Sequence, residues 1–84
     1  SMSPDQMADL LDVGQSATLH ETLSDREMEV LRLLGQGRTI SGVATDLALS
    51  VKTISTYRSR LLEKLRLGTT ADLVRYAIEH HLTV

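Results

Sequence analysis

Between Ser50 and Leu67 the chain reads SVKTISTYRSRLLEKLRL, and at a helical turn of about 100° per residue its side chains separate into two faces. Ile54, Leu61 and Leu65 form a narrow apolar stripe with Val51, Tyr57 and Arg58 at its edges, while Lys52, Ser55, Thr56 and Ser59 lie on the opposite side. An ammonium group donates hydrogen bonds, and hydroxyls both donate and accept them. Short side chains also let a helix come close to a flat hydrogen-bonding surface. Base edges in a DNA groove are such a surface: hydroxyls serve several bases, the Thr56 methyl can touch a thymine methyl, and Lys52 can reach a guanine edge or a phosphate. Lys52, Arg58, Arg60, Lys64 and Arg66 oppose only Glu63, which gives this short element a charge of +4. A solvated charged face would show the same excess. Lys52 in the first turn opposes the helix macrodipole, which favours a nucleic-acid role over a purely structural one. Tyr57 reads as a packing residue with a wet hydroxyl. Arg58, close to the apolar centre, is expected to snorkel or to pair with a carboxylate of the first helix such as Glu27.

The elements that must carry this face are legible from their ends. Ser24 and Glu27 are spaced as a capping box, with Leu23 and Met28 as the hydrophobic staple around it. A helix from about Asp25 to Gln36 buries Met28, Val30, Leu31 and Leu34 and is stopped by Gly35 and Gly37, the latter suited to a left-handed residue. Thr39 caps a second, short helix with Ile40, Val43, Ala44 and Leu47 inward, and Ala48-Leu49 makes a tight turn before Ser50 caps the third. After Leu67-Gly68, Thr69 or Thr70 caps a fourth helix ending near His81, with Leu73, Val74, Ala77 and Ile78 apolar. No strand pattern competes, so the fold class is an all-α four-helix bundle. Leu73, Val74, Ala77 and Ile78 exceed what one narrow core line needs, so one edge of this helix is a candidate interface with a second copy.

An 84-residue chain with 42% hydrophobic residues supports one small domain. It has no cysteine, hence no disulfide framework or thiolate metal site, and the default compartment is the cytoplasm. Apolar runs far shorter than the roughly 20 residues of a membrane span argue against a transmembrane segment. The net charge of −2 hides an asymmetry: residues 1–22 carry −4 and the remainder +2. Residues 1–22 read as a linker, with a short helix over 4–12 started by Ser3 and Pro4. Ser1-Met2 looks like a cloning scar ahead of a domain excised from a longer parent. Adjacent His80 and His81 point to different sides of a helix, and with His20 they do not make a metal site. Protonated, they suit the negative helix end. No nucleophile elbow, phosphate loop or spaced catalytic carboxylates is present, which argues against an enzyme and against a cofactor.

From Leu23 to about Leu82 the chain resembles the LuxR-type (GerE-type) helix-turn-helix domain of NarL/FixJ-family response regulators. Leu23-Ser24, Arg26-Glu27 and Val30-Leu31 match the family's opening, Gly37 its glycine before the second helix, Val43-Ala44 with Leu47 that helix, and Ser50 with Thr53-Ile54 the start of the third. Tyr57, Leu61 and Lys64-Leu65 complete the match, and KTISTYRSRLLEKL is similar to regulators of the BvgA and GacA kind. Two positions depart from the pattern. Gly42 stands where glutamate is usual and should weaken its helix by about 1 kcal/mol relative to alanine. Ala48 stands where glycine or asparagine is frequent, suggesting a turn that avoids a left-handed residue.

The resemblance implies a domain over residues 23–84 whose motif, about 40–59, sets a recognition helix in the major groove of double-stranded DNA. Its base contacts would be Lys52, Ser55, Thr56 and Ser59, and its phosphate contacts Thr39, Thr53, Arg60 and Arg66. It also implies a two-fold dimer through Leu73, Val74, Ala77 and Ile78, and a transcription-regulating output domain behind a phosphorylatable receiver, with RNA polymerase as a further partner. The rival readings are the promoter-binding region of a sigma factor, a protein-interaction helical bundle that holds an acidic partner, and a parent with a signal-binding domain in place of a receiver.

Overall fold

Four hydroxyl caps start the four helices of the computed structural model, which describes residues 19–83. A single 3-10 turn, Leu19–Thr22, is followed by α1 (Asp25–Gly35), α2 (Ile40–Leu47), α3 (Val51–Leu65) and α4 (Thr70–Glu79), with no strand among the described residues. The Ser24 hydroxyl accepts from the Glu27 amide at 3.2 Å while the Ser24 amide donates to Glu27 Oε1 at 2.8 Å, completing the capping box. Thr39, Ser50 and Thr69 each accept the amide three residues on, from Gly42, Thr53 and Asp72. The fourth cap is therefore Thr69, which frees the Thr70 side chain for another partner. The anticipated helix over 4–12 and the Ser1-Met2 scar lie outside the described residues.

Helix ends differ from the sequence expectation. Gly37 takes a positive φ of 88° after α1, as its lack of a Cβ allows. Ala48, Arg66 and His81 are left-handed as well, with φ of 56°, 58° and 57°. The expectation that Ala48 avoids this conformation is corrected: the Leu49 amide reaches back to the Ala44 carbonyl at 2.9 Å, and this closure requires a left-handed residue between. Leu67 does the same to Leu62, and Leu82 to Ala77, both at 2.8 Å. Leu49, Leu67 and Leu82 all pack against the core, so the apolar contact after each left-handed residue holds it in place. Gly68 is not left-handed, and the stop before it belongs to Arg66.

The core joins Val30, Leu31 and Leu34 of α1 to α4 on one side and to α2 and α3 on the other. Met28 is only half-buried, and Glu27 takes the buried place beside it. Gly35 is the buried last residue of α1, where a Cβ would lie 2.6 Å from Ala77 Cβ and 2.8 Å from Thr83 Cγ2. Its role is the close approach of α1 to α4, not the stop expected of it. The linker drawn to residue 22 also ends too late, because Leu19 packs against the core and His20 joins α4.

Candidate nucleic-acid interface

Helix α3 holds the candidate face because its other side is fixed: Ile54 and Leu61 are wholly buried and Leu65 nearly so. Lys52, Thr56, Ser59 and Arg60 are exposed, and Ser55 is half-buried. At the helix start the Ser50 hydroxyl donates to Thr53 Oγ1 at 2.9 Å while accepting the Thr53 amide at 3.1 Å. Along the exposed side, Thr56 Oγ1 donates to the Lys52 carbonyl and Ser59 Oγ to the Ser55 carbonyl, both at 3.1 Å. Thr39 sits at the start of α2, exposed, with its oxygen accepting the Gly42 amide at 3.0 Å. Arg66 is exposed in the left-handed residue that ends α3, beyond the helix rather than on its face.

The cations divide into engaged and free. Lys64 Nζ lies 2.8 Å from Glu27 Oε1, and Arg58 Nη1 donates to Thr70 Oγ1 at 3.1 Å. The expected Arg58–Glu27 pair is thus corrected: Arg58 reaches the start of α4, and Lys64 takes the carboxylate. The Lys64 ammonium and the Ser24 amide hold the Glu27 carboxyl below its usual pKa, against the opposing effect of its burial. Lys52, Arg60 and Arg66 have no carboxylate at ion-pair distance among the described residues. Arg38, adjacent to Thr39, pairs with Asp46.

On α4 the four apolar candidates separate. Leu73 and Ala77 are wholly buried inside the monomer and cannot form a surface for a second copy. This corrects half of the expected dimer set, because α1 packs directly on that line. Val74 is half-buried and Ile78 is 57% exposed. At the end of α4, His80 stacks on Tyr76 with ring centroids 4.1 Å apart, and the Tyr76 hydroxyl meets the His20 amide at 3.2 Å and His20 Nδ1 at 2.8 Å.

Residues 21–77 match the family model described as bacterial regulatory proteins, luxR family. The chain belongs to the luxR family. Its fold is that family's all-α helix-turn-helix DNA-binding domain. Over 66 residues it is 47% identical to a protein of Pseudomonas aeruginosa named as a transcriptional regulator, covering 79% of this chain and 32% of that one. It is 42% identical to the virulence-factors transcription regulator BvgA of Bordetella pertussis over 66 residues, with the same coverage. The response regulator protein VraR of Staphylococcus saprophyticus is 37% identical over 68 residues, 81% of this chain and 32% of its own length. The luxR-type domain thus spans about a third of these relatives. No helix among the described residues is long and apolar enough to cross a membrane.

Proposed function

We propose that this luxR-type domain sets α3 in the major groove of double-stranded DNA, with Lys52, Ser55, Thr56 and Ser59 toward the bases and Thr39, Thr53, Arg60 and Arg66 toward phosphates. The observation that carries this reading is the division of α3: an apolar side locked in the core, and an exposed side of short hydroxyls with unpaired cations beside it. At the helix starts Thr39 accepts an amide and Thr53 accepts the Ser50 hydroxyl, so both keep their own protons for phosphate oxygens. Two copies joined along Val74 and Ile78 would read half-sites about one helical turn apart.

The parent is a cytoplasmic two-component response regulator controlling transcription, in which phosphorylation of a receiver unmasks α3 or favours dimers and raises affinity by avidity. Its output includes contact with RNA polymerase. Unchanged dimerisation and DNA affinity on phosphorylating the full-length protein would rule this regulation out.

The direct test is selection of bound duplexes from a randomised pool at physiological salt, with a Lys52→Ala, Thr56→Ala double variant in parallel. A paired motif enriched by the natural chain and lost in the variant supports a base-reading face. Weak, salt-sensitive binding with no motif is the opposite result.

A further inference from the structure

Four hydroxyls of the proposed interface differ in what they have left to offer. A hydroxyl carries one proton and two lone pairs. The oxygen of Thr39 accepts a backbone amide and that of Thr53 accepts the Ser50 hydroxyl, so both retain a proton to donate. Thr56 and Ser59 are the reverse: each gives its proton to the carbonyl four residues back, at 3.1 Å. They meet a ligand as acceptors.

In the major groove the hydrogen-bond donors are the exocyclic amino groups, N6 of adenine and N4 of cytosine, whereas guanine O6 and N7 and thymine O4 only accept. To donate to guanine or thymine, Thr56 or Ser59 must release its helix carbonyl, a loss of about fivefold in binding. The same bond fixes the Thr56 rotamer and with it the methyl. An A·T pair offers an amino donor and a methyl together.

Resting on the major-groove reading above, we propose that Thr56 and Ser59 are specificity-determining acceptors for exocyclic amino groups, with Thr56 selecting an A·T pair. Donation to guanine then falls to Lys52 and Ser55. The polarity of the operator under the middle of α3 follows from the helix's own hydrogen bonds.

The test uses the full 84-residue chain and the duplex enriched from the randomised pool. Each adenine is replaced in turn by 2-aminopurine, which still pairs with thymine, and each cytosine by pyrimidin-2-one. Both analogues lack the major-groove amino group. Binding of the natural chain should fall about fivefold at the positions read by Thr56 and Ser59. Thr56→Val and Ser59→Ala, both at exposed positions, should bind the unmodified duplex more weakly by a similar factor and be indifferent to the analogue at their own position. Equal sensitivity in variant and natural chain, or enrichment of guanine or thymine edges that only Thr56→Val or Ser59→Ala abolishes, overturns the inference and leaves base reading intact. A pool with no enriched motif overturns base reading and the inference together.

Discussion

Glu27 shows how one residue ties the start of the domain to α3. Its side chain is almost wholly buried, and Oε1 accepts both the Ser24 amide and the Lys64 ammonium, each at 2.8 Å. One carboxylate thereby completes the cap of α1 and fixes the last turn of α3 against it. The depressed carboxyl pKa makes this a pH-dependent contribution: with the folded value below the unfolded one, the stabilisation is complete above the ordinary carboxylate range. It is lost as pH falls from there through the depressed value. Glu27→Gln should lower stability by about 1–2 kcal/mol at pH 7, and its disadvantage should shrink as the pH is lowered toward 3. Urea unfolding followed by circular dichroism across that range measures both, and parallel profiles for the two proteins would remove Glu27 from the acid response. Arg58 makes the corresponding tie on the other side of α3, to Thr70. Helix α3 is therefore held at its middle to α4 and near its end to α1, by side chains that do not face the proposed DNA surface.

The helix starts and helix stops obey different physics, and this decides what a sequence reveals about each element. A Ser or Thr cap makes its bond with its own side chain, so Ser24, Thr39, Ser50 and Thr69 could be read from residue type and spacing. Three of the stops fall on alanine, arginine and histidine, none of which signals a left-handed backbone. There the following leucine and its reach-back amide set the geometry. A non-glycine residue in that conformation costs about 1–2 kcal/mol, so Ala48→Gly should stabilise the domain by about 1 kcal/mol after the extra chain entropy of glycine. In a domain of this size that is roughly 4–8 °C in Tm, readable by thermal unfolding. Arg66→Gly should bring the same gain while weakening DNA binding, which separates the role of the side chain from that of the backbone. A fall in Tm for Ala48→Gly would mean that the alanine methyl has a packing role outweighing its strain. The exposed face of α3 was legible because it is periodic. The partners of Arg58 and Lys64 were not, because they depend on how α1 and α4 pack around α3.

At the scale of the whole molecule, α4 is the place where the two ends of the described chain meet. The 3-10 turn that precedes the capped helices docks on it through the Tyr76 hydroxyl, and burial pushes that hydroxyl's pKa up, keeping its proton in place. Tyr76→Phe should release the His20 amide, with hydrogen exchange there faster by about five- to tenfold, and unchanged exchange would show that Leu19 alone holds the turn. The opposite property of α4 is its uncovered residue. Among the described residues, Val51 and Ile78 are the two large apolar side chains left exposed, and Ile78 stands one turn beyond half-buried Val74, away from the line that packs on α1. A dimer through this edge and a monomer core through Leu73 and Ala77 make separable demands on a single ten-residue helix. Leu73→Ala should lower stability by about 2–5 kcal/mol through its cavity, with DNA binding lost only because the domain unfolds. Ile78→Glu should leave the Tm nearly unchanged, since surface substitutions stay within about 0.5 kcal/mol. It should still reduce affinity for a duplex carrying two half-sites by about a hundredfold, the scale of avidity, while binding to a single half-site is unaltered. Titrating both duplexes with both variants decides it. An Ile78→Glu protein that binds the paired site as tightly as the natural chain would place the dimer contact elsewhere, and one that loses the single half-site as well would place Ile78 in the DNA-binding machinery itself.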